Sequence, residues 1–446
     1  MEFKLADVAQ ALGLSIESEG RVTGWSIDSR TIAHGDLFFA LRGPNHDGNA
    51  YVEEVLRKGA VGAVANDMKP GPVLVVPDTL AALQRTAIWA LDQWRGEVIG
   101  VTGSAGKTST KDVIAALLVS QIPVGKTVGN LNNQFGVPVS ILRLPSQARV
   151  AVLEMGMNHA GEIRDLCRIA RPRIGVVTNV GHAHVENFDS IEGVAAAKRE
   201  LIDSLPLDGT AVLNGDDPLV IRFREVHPGR TITFGFGPGA DVRAQQVQLS
   251  DCGVSFTVDG TRLESPLLGR HSILNILAGV AVASLYGIRP AQLAEAVKNL
   301  APSNMRGERL VRDGVTVLND CYNSNPDAAR AMIDVLRETP AKRRIAVLGE
   351  MLELGRWSEA LHRDVGSYVA RSGIDVLVGI RGEAGHLVDA ARRSGLAVNA
   401  AFFFPDAVPA GEYLRQIARP GDVILFKGSR GTHVEHALER FLARPN

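Results

Sequence analysis

Gly100-Val-Thr-Gly-Ser-Ala-Gly-Lys-Thr108 decides the fold, because an apolar run over 98–102 enters it and a helical pattern over 111–119 leaves it. Strand, small-residue turn and helix in that order aim several backbone N–H groups at one point and add the positive end of the helix. Lys107 then stands ready for a phosphate and the Thr108 hydroxyl for Mg²⁺, which makes a nucleoside triphosphate site. The general P-loop pattern asks for Gly five residues before Gly106, where this chain has Val101, so that pattern matches in its second half. Gly-rich turns with a single Lys also arise by chance; the strand before and the helix after argue against chance here.

Working outward, apolar runs at 150–154, 174–178 and 211–213 read as buried strands of a parallel sheet wound by helices. Residues 231–263 differ, alternating Val254, Phe256 and Val258 ahead of Asp259-Gly260, and suggest a β-hairpin insertion. Toward the N-terminus, a helix over 5–12, β-like runs at 22–27 and 36–41, and a helix over 79–94 describe a small mixed α/β unit. Beyond 309, strands at 315–318, 345–348, 376–380, 401–404 and 423–426 alternate with helical patterns such as 327–337 and 434–442. Asn325-Pro326 is a cap and first-turn pair for the first of those helices. The expected class is three-domain α/β: a small mixed N-terminal unit (1–95), a central P-loop parallel-sheet ATPase unit (96–308) and a Rossmann-like open C-terminal unit (309–446).

Composition narrows the function. At about 150 residues per domain, 446 residues hold two to four domains, and 48 Lys and Arg against 49 Asp and Glu leave a net charge of −1. Nothing in that balance advertises a nucleic-acid or anionic-membrane surface, so no nucleic-acid partner is expected. Cys167, Cys252 and Cys321 are odd in number and far apart, which suits a reducing cytoplasm better than a disulfide framework or zinc cluster. The N-terminus has no apolar core of a signal peptide. The uncharged stretch 272–288 is too short to span a bilayer and reads as a buried helix, so no membrane insertion is expected.

Four further clusters carry chemistry. Asn179-Val-Gly-His-Ala-His184 falls at a strand end, Glu154 at another, and Lys198 on a following helix. Ligands of open α/β sheets bind beyond the carboxyl ends of strands, so Glu154 and His184 could meet beside the P-loop and hold a divalent metal. On spacing alone, a lone His is as readily structural, and Lys198 in Ala-Ala-Ala-Lys-Arg-Glu reads as a solvated helix face. The run from Asn319 to Pro326 is either a lined site or an Asn/Asp turn with a cap. Lys427-Gly-Ser-Arg430 could hold a carboxylate or phosphate, or be surface loop; Ile27-Asp-Ser-Arg30 and Asn45-His-Asp-Gly48 are turns with donors.

Taken together the chain resembles the Mur ligase family along its whole length. The resemblance rests on Ser29-Arg30 with Gly35-Asp36-Leu37-Phe38, Thr102-Gly-Ser-Ala-Gly-Lys-Thr108, Asn132-Asn133, Glu154-Met-Gly-Met-Asn-His159 and Asn179 to His184. It extends through Leu213-Asn-Gly-Asp-Asp217, Gly269-Arg-His271 with Asn275, and Asp320 to Pro326. Thr-Gly-x-x-Gly-Lys-Thr is that family's own P-loop. Within the family, Asn158-His159-x-Gly-Glu-Ile163, Tyr322-Asn-x-Asn-Pro326, and Gly349-Glu-Met-x-Glu-Leu-Gly355 with Lys427 to Arg430 resemble the branch that adds a dipeptide.

The resemblance implies ATP and two Mg²⁺ ions. Gly103, Ser104, Ala105, Gly106, Lys107, Thr108 and Ser109 would hold the ATP phosphates, with Asn275 at the adenine and Arg306 and Asp320 reaching in from the hinge and C-terminal unit. Thr108 would ligate the first Mg²⁺; Glu154, His184 and a CO₂-derived carbamate on Lys198 would support the second, which overturns the solvated reading of Lys198. Lys107, Lys198, His184 and Arg306 are the implied catalytic residues. Whether Arg306 or Arg309 fills the family position stays open. The implied substrates are UDP-N-acetylmuramoyl-tripeptide and D-alanyl-D-alanine. Ser29 and Arg30 would meet the UDP end; Asp47, Asn132, Asn133, Asn158, His159, Tyr322, Asn323, Lys427, Ser429 and Arg430 would also bind substrate. A cytoplasmic monomer is expected.

Overall fold

The structure, a computed structural model, describes residues 1–443; the last three positions of the expected 309–446 unit lie outside them. Glu97–Thr102 lies inside a seven-stranded, wholly parallel sheet, between Ile174–Val177 and Val150–Glu154. The chain first winds to one side of this strand, through Val124–Lys126 and Val150–Glu154. It then crosses to the other side for Ile174–Val177, Thr210–Asn214, Arg230–Gly235 and Val242–Arg243. That reversal opens a crevice beyond the carboxyl end of Glu97–Thr102, where ligands of such sheets bind.

The helix leaving the turn is Lys107–Val119, starting four residues earlier than the apolar pattern suggests because the polar Lys-Thr-Ser-Thr turn is already helical. It packs on Arg270–Leu285, which is uncharged from Ser272 onward and buried there nearly all round. The expected 231–263 insertion divides. Arg230–Gly235 and Val242–Arg243 join the central sheet in parallel, and only Gln245–Ser250, Gly253–Val258 and Thr261–Ser265 form the separate antiparallel sheet. The turn at Asp259 (φ 48°) and Gly260 (φ 75°) is left-handed at both positions, as a tight two-residue hairpin demands.

The N-terminal region holds a four-stranded parallel sheet, Gly24–Ser26, Asp36–Phe39, Gly62–Ala65 and Val73–Val75. Thr79–Trp94, capped by the Asp78 carboxylate on the amides of Leu80 and Ala81, ties it to the central unit. Its Gln84 amide donates to Gln134 O and its Trp94 indole to Ala148 O. The C-terminal sheet runs Glu308–Arg312, Val315–Asp320, Asp422–Lys427, Arg343–Gly349, Val376–Ile380, Ala401–Phe404, parallel except for its first pair. Asn325 caps Pro326–Glu338 by accepting from the Ala328 amide, so the cap and first-turn Pro act as their sequence suggests. Among the described residues no helix is long and apolar enough to cross a membrane.

Candidate active site

A cleft of about 1050 Å³ opens where the crevice of the central sheet faces the C-terminal unit. Its floor is the turn 103–106. Gly106 (φ 78°) caps the helix in a left-handed conformation, with the Asn275 side-chain Oδ1 3.0 Å from where a Cβ would sit. The first helical turn leaves the amides of Lys107, Thr108 and Ser109 without intrahelical partners, an anion seat. The amides of Ser104 and Ala105 are not part of it: they donate to the backbone and side-chain oxygens of Asn179 at 3.1 and 2.8 Å. Asn179 therefore shapes the loop, a role sequence spacing does not reveal.

Lys107 donates to Gly103 O at 2.8 Å, and loss of solvent in the cleft lowers its pKa against the pull of Glu154. Beside it the Thr108 hydroxyl donates to Glu154 Oε2 at 2.8 Å, while Asn132 donates to Glu154 Oε1 at 2.8 Å. Hydroxyl, carboxylate and amide are thus locked together at the phosphate end. His184 lines the same end, with Nδ1 2.8 Å from Glu353 Oε2 of the C-terminal unit. That contact holds the Glu353 carboxyl below its usual range, His184 outweighing burial.

Lys198 lies on Ile191–Asp203 and is 1% exposed, so the solvated-face reading of that helix is wrong. This face packs beneath the P-loop strand, where Leu201 fills the space a side chain at Gly100 would need. Burial, and then the charge of Lys107, pushes the Lys198 ammonium well below its ordinary value, which favours the neutral amine.

Across the cleft, Arg306 stacks its guanidinium 3.9 Å from the centre of the Tyr322 ring, whereas Arg309 points to Asp251 of the antiparallel sheet at 3.6 Å. Of the two arginines, Arg306 is the one brought to the cleft. Asp320 pairs with Lys427 at 2.5 Å, and Lys427 also donates to Asn323 O. Asn133, Asn158, Tyr322 and Asn323 line the cleft as well, together with half-buried His271, whose pKa is lowered by loss of solvent. His271, Glu353 and Asn179 stand in motifs quoted above but carry no assigned role there.

Some expected residues are not gathered. Ser429 is buried away from the cleft, donating to Ser324 O and accepting from the Leu352 amide, so it ties two loops together. Arg430 turns outward to Glu435 at 3.2 Å, and exposed His159 leans on Glu162. Ser29, Arg30 and Asp47 lie outside the cleft: Arg30 pairs with Asp28, pulling that carboxyl down to about 2, and Asp47 with Arg42 and Asn49. Their surroundings are short-range turns in an exposed region.

The C-terminal unit is docked. Asn325 donates to Ser104 O at 3.3 Å, the His182 amide to Asp327 Oδ2 at 3.0 Å, and Arg356 to Asp189 O at 3.0 Å. A P-loop cleft roofed by a second α/β unit, with hydroxyl, carboxylate and imidazole at its phosphate end, defines an ATP-dependent α/β enzyme. Family profiles match at residues 21–131 (Mur ligase family, catalytic domain), 101–283 (Mur ligase middle domain) and 305–430 (Mur ligase, glutamate ligase domain). The UDP-N-acetylmuramoyl-tripeptide–D-alanyl-D-alanine ligase of Bacillus subtilis (strain 168) is 35% identical, over 95% of this chain and 94% of the relative. A MurF crystal structure from Acinetobacter baumannii superposes with TM-score 0.89 at 28% identity, covering 98% of both chains. MurF from Thermotoga maritima, in complex with ADP, superposes with TM-score 0.83 at 29% identity, covering 94% of this chain and 97% of that one. The chain belongs to the Mur ligase family.

Proposed function

We propose that this chain joins D-alanyl-D-alanine to UDP-N-acetylmuramoyl-tripeptide at the expense of ATP, in peptidoglycan precursor synthesis. End-to-end similarity to a relative of that name carries the reading. Forming an amide from a carboxylate in water is uphill, so the acid must be activated. A carboxylate oxygen of the tripeptide attacks the γ-phosphorus, its bond to the β-bridging oxygen breaks, and ADP leaves an acyl phosphate. The dipeptide amine then attacks the acyl carbon; the tetrahedral adduct loses a proton and inorganic phosphate, leaving the amide.

Each residue's part follows from its place. Lys107 and the first-turn amides of Lys107, Thr108 and Ser109 neutralise phosphate charge that the first step concentrates. Asn275 and Arg306 are assigned to the nucleotide, with Asp320 beside them through Lys427. Oxygen and imidazole donors of Thr108, Glu154 and His184 at one end of the cleft fit Mg²⁺, which when bound supplies charge stabilisation at the phosphate oxygens. Lys198 fits carbamylation because only a neutral amine adds CO₂, and burial favours that form here; the carbamate would add an anion behind the metal end.

An acyl phosphate is lost to water if exposed, so 309–446 is assigned to close over 96–308 and to carry the dipeptide, with Lys427 facing its carboxylate. The unit 1–95 is assigned to the UDP-sugar, through Ser29, Arg30 and Asp47. The expected setting is a cytoplasmic monomer. Mass spectrometry of a reaction with ATP and both substrates should show the UDP-pentapeptide with equal ADP and phosphate. A product extended by one residue would replace this reading with another member of the family.

A further inference from the structure

Two non-glycine residues with left-handed backbone meet across the seam between the central and C-terminal units. His184 (φ 60°) follows Ile174–Val177, and Glu353 (φ 64°) follows Arg343–Gly349. Such conformations persist where surrounding contacts over-determine them, and they cluster at functional sites. The two side chains touch, His184 Nδ1 to Glu353 Oε2 at 2.8 Å. Their backbones are held as well: the Glu186 amide donates to Glu353 O at 3.3 Å, and a Cβ at Gly355 would meet Glu186 Cβ at 2.7 Å. Nδ1 is buried from solvent and close to the Glu353 carboxylate without an aligned hydrogen bond, and the ring lines the cleft.

A metal-binding imidazole is commonly oriented by a carboxylate on its other nitrogen, and loss of that partner weakens the metal. Here the carboxylate comes from a different unit than the histidine. We propose that Glu353 is a positioning residue: the docked C-terminal unit delivers its carboxylate to His184 Nδ1 and orients the ring toward the divalent cation. The inference rests on the reading of His184 as a metal ligand given above. In an open molecule the carboxylate is withdrawn, so the metal end is complete only after closure, when the acyl phosphate is also sheltered. ATP is then not spent on water before the second substrate's unit is in place.

Mn²⁺ is the probe, its free signal followed by electron paramagnetic resonance with the full chain and a non-hydrolysable ATP analogue, so no turnover is needed. Glu353→Gln and Glu353→Ala should weaken Mn²⁺ binding about 10–100-fold. Glu353→Asn, whose side chain tolerates the left-handed backbone but is shorter and uncharged, should weaken it as much, separating carboxylate from backbone. Arg262→Ala, in the antiparallel sheet and away from the seam, should leave Mn²⁺ affinity unchanged. Unaltered affinity in the Glu353 variants, or an equal loss in Arg262→Ala, overturns the role. Ligation by the unaltered chain is assayed in parallel: failure there overturns the proposed function, whereas normal ligation with unchanged Mn²⁺ affinities overturns the positioning role alone.

Discussion

The phosphate end of the cleft and the N-terminal region are built on opposite principles. At the phosphate end Thr108, Glu154 and Lys198 are buried, and the Glu154 carboxylate is held by Thr108 and Asn132 from distant parts of the chain. In the N-terminal region Arg30, Asp28, Asp47 and Arg42 are exposed and satisfied by neighbours two to five residues away. Charge stabilisation depends on donors that need no rearrangement at the moment of reaction, so the first arrangement suits chemistry. The second suits holding a substrate's remote end, where modest affinity and adjustment suffice.

The largest effect should come from Lys107→Ala, with phosphate release falling about 10³-fold or more; activity within tenfold of the unaltered chain would break the contrast. Next, Lys427→Ala leaves Asp320 charged, nearly buried and unpaired, and should lower unfolding stability by about 3 kcal/mol in urea titration. Asp320→Asn in the same chain should recover part of that. Lys198→Ala should cost on the order of 10²-fold in turnover, and added short-chain carboxylic acids should restore some of it. Full activity without them would remove Lys198 from the chemistry.

Lys198 also makes a pH prediction. Its folded value lies below the ordinary 10.5, so between the two values the unfolded chain binds the extra proton. Stability therefore rises with pH across that window in CO₂-free buffer, and Lys198→Met should flatten the slope. The smallest effect belongs to Arg30→Ala: a rise of less than about tenfold in KM for the UDP substrate, kcat unchanged, and stability within about 0.5 kcal/mol.

The same contrast explains what was legible in the sequence. Glu97–Thr102, Thr79–Trp94 and Val376–Ile380 were readable because their patterns are local, and Lys107 with Thr108 because the loop motif is contiguous. Arg230–Gly235 was misplaced in the insertion because its partner is Thr210–Asn214 in parallel, a pairing no local alternation announces. Burial of Lys198 depends on packing under Gly100, and three neighbouring alanines say nothing of it; only family resemblance singled the lysine out. Glu353 was within a quoted motif, yet its meeting with His184 exists only once two units dock.

The central claim is that this prebuilt cleft couples ATP cleavage to amide formation between two particular substrates. Phosphate release measured with ATP alone, with each substrate singly, and with both tests it most directly. The account predicts release at the full rate only when UDP-N-acetylmuramoyl-tripeptide and D-alanyl-D-alanine are both present. Full-rate release without the dipeptide, or none with both, would contradict it.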